Sequence, residues 1–130
     1  MRRPLDVDLH RNDENDEVEV LHLIGDLDLQ SAPELRGWSS ELLAEPADGG
    51  ERATVVVVDL TDVPFVDSTG VGALLSVRRE VRARGGELVL AGPSPELRHL
   101  LGSLGLPAVL RVYDTRDDAV AHLRQPDVSS

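Results

Sequence analysis

Thr54-Val55-Val56-Val57-Val58-Asp59-Leu60 is the stretch that decides the fold. Four consecutive valines leave no alternate position for a solvent-facing side chain, so the run reads as a strand covered on both faces, the central strand of a largely parallel sheet. Beyond this strand the period changes. After a turn through Asp62, Pro64 and Phe65, the residues Val71, Leu74, Leu75, Val77 and Val81 recur at helical spacing, and Gly85-Gly86 ends that helix. Residues 87–91 read as the next strand. Strand, helix and strand in this order imply a right-handed crossover between parallel neighbours.

Working back towards the start, Leu5, Val7 and Leu9 alternate with Asp6, Asp8 and His10, and Val18, Val20, His22 and Ile24 alternate with Glu17, Glu19, Leu21 and Leu23. Both are strand patterns, with the polar run 11–16 as the hairpin between them. Ser31-Ala32-Pro33-Glu34 places glutamate three residues after a serine and confines proline to the first turn, the pattern of a capping box. Leu35, Trp38 and Leu42 then share one helical face, and 45–53, with Pro46, Gly49 and Gly50, is a loop. Towards the end of the chain, Pro93-Ser94-Pro95-Glu96 opens a helix whose Leu97, Leu100, Leu101 and Leu104 form a stripe stopped by Gly105. Residues 108–112 are expected as a fifth strand. Asp114 or Thr115 is expected to cap a closing helix with Val120 and Leu123 inward, followed by a frayed tail at 125–130. The expected architecture is a single α/β domain over 1–130: a mixed, mostly parallel sheet of five strands, an N-terminal antiparallel hairpin and four helices.

Composition narrows the function. A chain of 130 residues with 41% hydrophobic content supports one domain with a real core. No apolar stretch approaches the roughly 20 residues needed to span a bilayer, and Met1-Arg2-Arg3-Pro4 does not lead into a signal-peptide core, so a cytoplasmic protein is expected. Cysteine is absent, which excludes disulfides and thiolate sites. All 13 basic residues are arginine, which removes the P-loop lysine and Schiff-base chemistry. A net charge of −11 disfavours nucleic acid or an anionic membrane surface as partner and suits a protein with a basic face.

Chemistry in parallel α/β sheets sits on loops leaving the carboxyl ends of strands. Two such loops stand out, Gly25-Asp26-Leu27-Asp28 and Val66-Asp67-Ser68-Thr69-Gly70, and a parallel pairing of their strands would gather Asp26, Asp28, Asp67 and Ser68 on one surface. Taken alone, Ser68 or Asp67 reads as a helix N-cap, Asp26 and Asp28 as turn residues, and Gly70 and Gly72 as positions of close helix–sheet approach. Enzyme motifs fail here. A nucleophile elbow has Val66 where its first glycine belongs, and a dinucleotide fingerprint from Gly70-Val71-Gly72 has Leu75 at its third glycine. His10, His22, His99 and His122 lie on separate elements without ligand spacing, so no metal site and no catalytic residue is expected.

Read together, Leu23-Ile24-Gly25-Asp26-Leu27-Asp28, Ser31-Ala32-Pro33-Glu34-Leu35, Val58-Asp59-Leu60 and Phe65-Val66-Asp67-Ser68-Thr69-Gly70-Val71-Gly72-Ala73-Leu74 resemble the STAS family, especially its bacterial anti-sigma factor antagonists. Gly85-Gly86, Leu101 and Gly105-Leu106 continue the pattern, which covers about residues 18–123. The resemblance implies a non-enzymatic switch without cofactor. Its unphosphorylated form binds an anti-sigma factor serine kinase and frees a sigma factor. That kinase, which brings the ATP, phosphorylates the serine matching Ser68, and a serine phosphatase resets it. Asp26 and Asp67 become contact or positioning residues, with Asp28, Thr69 and Gly70 beside them on the partner-binding surface, and a monomer or weak dimer is expected. A STAS module scaffolding a larger signalling complex is the alternative. The chain departs from the family pattern in three places: the second hydroxyl of Thr69, the length of the 45–53 loop, and the acidic run 13–17.

Overall fold

The Val55–Val58 run lies at the centre of the sheet in the computed structural model, which describes residues 3–11, 18–42 and 55–124. The strands β1 (Asp6–Arg11), β2 (Val18–Ile24), β3 (Val55–Asp62), β4 (Glu87–Ala91) and β5 (Val112–Tyr113) stand in sequence order across it. The pair β1–β2 is antiparallel; β2–β3, β3–β4 and β4–β5 are parallel. The helices are α1 (Ala32–Leu42), α2 (Ser68–Ala83), α3 (Pro95–Ser103) and α4 (Arg116–Arg124).

Strand order explains the layering. Successive right-handed crossovers that always step in the same direction put α1, α2 and α3 on one face. There Leu35, Val71, Leu74, Val77, Val81, Leu97 and Leu101 pack with Leu21, Leu23, Val56, Val58, Leu88 and Leu90 in the main core. The second face carries Val18, Val20, Val57, Val89 and Ala91, and α4 covers it with Ala119 and Val120. Val57 therefore faces one cluster while its neighbours face the other, as a two-sided central strand demands.

The two faces are held differently. Burying a Val or Leu side chain contributes roughly 1.5–3 kcal/mol, so the stripe of α2 anchors that helix many times over. The small apolar face of α4 has a polar clamp beside it: Asp59 on β3, only 2% exposed, accepts hydrogen bonds from Arg116 Nε at 3.0 Å and from the Thr61 hydroxyl at 2.6 Å and amide at 3.0 Å. Burial opposes ionisation of this carboxyl. The Thr61 bonds and the charges of Arg116 and His22 outweigh that penalty and hold Asp59 below its ordinary value of 3.8.

Four local expectations are corrected. The fifth strand is only Val112–Tyr113, because Leu106–Ala108 closes a 3-10 turn and Val109 follows it. Leu104 leaves the α3 stripe and stands 50% exposed, because the helix ends at Ser103 and Leu104 is its cap. Ser31 precedes α1, but its hydroxyl turns back to donate to the Asp26 carbonyl at 2.8 Å instead of forming a capping box with Glu34. Gly72 is not a point of close approach, since a Cβ there would meet nothing within 4 Å among the described residues. Of the two candidate caps for α4, Thr115 takes the role by accepting from the Asp118 amide at 3.0 Å, while Asp114 pairs with Arg98 at 2.6 Å. The expected hairpin turn beyond Arg11, the acidic run 13–17, the 45–53 loop, the 125–130 tail and the side chains of Leu42 and Leu123 lie outside the described residues.

The clamp has a defined pH signature. With the folded-state value of Asp59 depressed, the unfolded chain takes up the proton first on acidification. Its stabilisation is thus complete above about pH 4–5 and is lost as pH falls through the folded value. Arg116 is 34% exposed, so the loss in Arg116→Ala falls below that of a fully buried pair, at about 1–3 kcal/mol. Urea titrations will give that gap at pH 7 and a narrower one at pH 3.

Candidate functional site

The two loops singled out in the sequence meet at the carboxyl end of the sheet. Pairing between β2 and β3 runs to Ile24 opposite Asp62 through a register shift, and it resumes beyond the strands as an isolated bridge between Leu27 and Val66. Three backbone hydrogen bonds close this seam: Gly25 N–H to Asp62 O at 3.1 Å, Leu27 N–H to Phe65 O at 2.9 Å, and Asp67 N–H to Leu27 O at 3.2 Å. The β2–α1 and β3–α2 loops therefore form one platform.

Each acidic residue predicted for the site is present there, and each has carboxylate oxygen engaged by main-chain N–H groups. Asp67 is the N-cap of α2, its Oδ1 accepting from the Gly70 amide at 2.9 Å. Asp28 Oδ1 accepts from the amides of Gln30 at 3.0 Å and Ser31 at 3.1 Å, folding its loop into an Asx turn. Asp26 is only 8% exposed, and its Oδ2 accepts from the Arg3 amide at 2.9 Å. Because Asp67 supplies the cap, Ser68 is the first residue of α2, and it is exposed to solvent. Thr69 is half-buried.

Gly70 is what lets the helix start here. A Cβ at that position would lie 2.3 Å from the Leu27 carbonyl oxygen and 2.9 Å from Leu27 Cγ, so the first turn of α2 rests directly against the neighbouring loop. The close approach is to that loop and not to the sheet. Two further residues of the platform were not among the expected site residues: Leu29 is 70% exposed, and Phe65, the first residue of the motif that contains Ser68, is 52% exposed. Large apolar side chains held outward in both loops suit a protein interface. The available signal was their setting, an aliphatic residue between Asp28 and Gln30 and the chain's single phenylalanine after Pro64.

The STAS domain family model matches residues 11–119. The chain belongs to the STAS domain family. Among proteins similar to this STAS chain, the anti-sigma-B factor antagonist of Bacillus subtilis is 30% identical over 108 residues, covering 83% of this chain and 90% of that protein. The anti-sigma F factor antagonist of Paenibacillus polymyxa is 24% identical over 123 residues, covering 95% and 97%. Two structures of SpoIIAA resemble this STAS fold, one of the Bacillus cell fate determinant SpoIIAA with phosphate and one of the anti-sigma factor antagonist SpoIIAA without it. The phosphorylated form has a TM-score of 0.67 at 27% identity, covering 92% of this chain and all of that one. The unphosphorylated form has a TM-score of 0.68 at 25% identity, covering 93% of this chain and all of that one.

The two glycines of the STAS helix start have opposite expected responses. Gly70→Ala must displace a backbone carbonyl and costs about 1–3 kcal/mol, whereas Gly72→Ala has open space and stabilises the helix by about 0.5–1 kcal/mol. Thermal unfolding of the two variants beside the wild type measures both.

Proposed function

We propose that this chain is an anti-sigma factor antagonist in which Ser68 is the residue that is switched. In the unphosphorylated state it docks on a serine-kinase anti-sigma factor, which carries the ATP, and a sigma factor is released. Phosphorylation of Ser68 ends docking, and a serine phosphatase restores it. The chain works as a cytoplasmic, non-catalytic binding protein, a single domain over 1–130. The observation that carries this reading is the division of labour at the start of α2: Asp67 caps the helix, and Ser68 beside it is exposed to solvent. Ser68 is favoured over Thr69, which is half-buried. The antagonist names of the relatives in Bacillus subtilis and Paenibacillus polymyxa support the same role.

Charge explains why one phosphate suffices. A phosphoserine adds about −1.5 to −2 charges at a helix N-terminus, where the dipole favours an anion by roughly 0.3–1 kcal/mol. The Asp67 carboxylate next to it opposes that gain by an amount of the same order at an exposed surface, about 1 kcal/mol or somewhat more. The balance leaves the fold nearly unchanged, in keeping with the near-equal likeness of this chain to SpoIIAA with and without phosphate. An interface responds more strongly, because leaving a charge buried and unpaired costs several kcal/mol and each 1.4 kcal/mol is tenfold in affinity. Docking through Leu29 and Phe65, with Asp28, Asp67, Thr69 and Gly70 around Ser68, would bury that charge.

The test uses purified candidate anti-sigma kinases with ATP, mass spectrometry to map the phosphate and calorimetry to measure binding. Wild type and Thr69→Val take phosphate at residue 68. Ser68→Ala takes none yet binds the kinase, and the phosphorylated wild type binds it at least about 100-fold more weakly. Labelling of Ser68→Ala at the wild-type level would falsify the site assignment.

A further inference from the structure

Because β1 runs antiparallel to β2, its start returns to the end of the sheet that carries the platform. The segment Arg3-Pro4-Leu5 passes against the β2–α1 loop there. Leu5, 7% exposed, anchors it in the main core. Arg3 and Asp26 exchange two hydrogen bonds, Arg3 N–H to Asp26 Oδ2 at 2.9 Å and Asp26 N–H to Arg3 O at 2.9 Å. Gly25 adopts φ +110°, and a Cβ there would lie 2.1 Å from the Pro4 carbonyl oxygen, so the strap and loop are in direct backbone contact. On the side towards β3 the strap is separated from Thr61 and Asp62 by a cleft of about 370 Å³. Its hold on the platform therefore runs through Gly25 and Asp26.

From Asp26 the path to Ser68 is short and made of backbone. The next residue, Leu27, donates its amide to Phe65 O and accepts from the Asp67 amide, and its carbonyl carries the first turn of α2 at Gly70. We propose that the Arg3–Pro4 strap is a brace that fixes the phosphoacceptor: Asp26 acts as a positioning residue through its bond to the Arg3 amide, and its charge is not what the partner reads. This rests on the reading of Ser68 as acceptor and adds how that site is kept in register.

Two substitutions separate bond from charge. Asp26→Asn keeps an oxygen that accepts from the Arg3 amide and removes the charge, while Arg3→Pro keeps the Asp26 charge and removes the donor. Asp26→Ala removes both bond and charge, and Arg3→Gln controls for the arginine side chain. The brace predicts that the amides of Leu27 and Asp67 exchange hydrogen about tenfold faster in Asp26→Ala and Arg3→Pro than in wild type, a bond to a charged acceptor being at stake. Asp26→Asn and Arg3→Gln stay within about threefold. With a kinase that labels wild-type Ser68, kcat falls about tenfold in the first pair at nearly constant KM and is kept in the second pair. Equal damage in Asp26→Asn and Asp26→Ala, or wild-type behaviour of Arg3→Pro, overturns the brace. Hydrogen exchange needs no kinase, so it decides the brace even if no kinase labels the chain and the switch reading fails.

Discussion

The carbonyl group of Leu27 is the point on which the platform depends. It receives the Asp67 amide, and the first turn of α2 comes so near that residue 70 has no room for a side chain. A helix that begins in contact with a neighbouring loop cannot shift along its axis without breaking that bond. The position of Ser68 is thus inherited from the sheet through two loops and not set by the helix alone. This differs from an isolated helix end, which frays over its first turn.

The acidic residues of this chain have two roles that composition cannot separate. A net charge of −11 suggests a field that attracts a basic partner. In the structure, however, Asp26, Asp28, Asp59 and Asp67 each bind hydrogen-bond donors of the protein itself, and three of them shape the platform loops. Such carboxylates build geometry first, since leaving an amide unsatisfied in these positions would cost about 1–3 kcal/mol.

Much of this was legible in the sequence because periodicity reports burial directly. The valine run of β3, the stripe of α2 and the alternation in β1 and β2 all correspond to elements of the right kind. The start of α2 was also readable, down to two candidate caps, but choosing Asp67 over Ser68 required seeing which oxygen reaches the Gly70 amide. Misreadings came where contact outweighs local pattern. Residues 108–112 look like a strand, yet the 3-10 turn takes Ala108, and Leu104 fits a helical stripe that ends one residue earlier. The Arg3–Asp26 pair spans 23 positions with no motif at either end, so nothing local could have indicated it.

The two borders of the sheet differ in how they meet water. One is β1, where Asp6 and Asp8 stand exposed; the other is β5, which offers only Val112 and Tyr113. An unpaired strand is a template for another chain, and charge or brevity is what blunts it. Here each margin carries one of those safeguards, so self-association by strand addition is disfavoured even at high concentration.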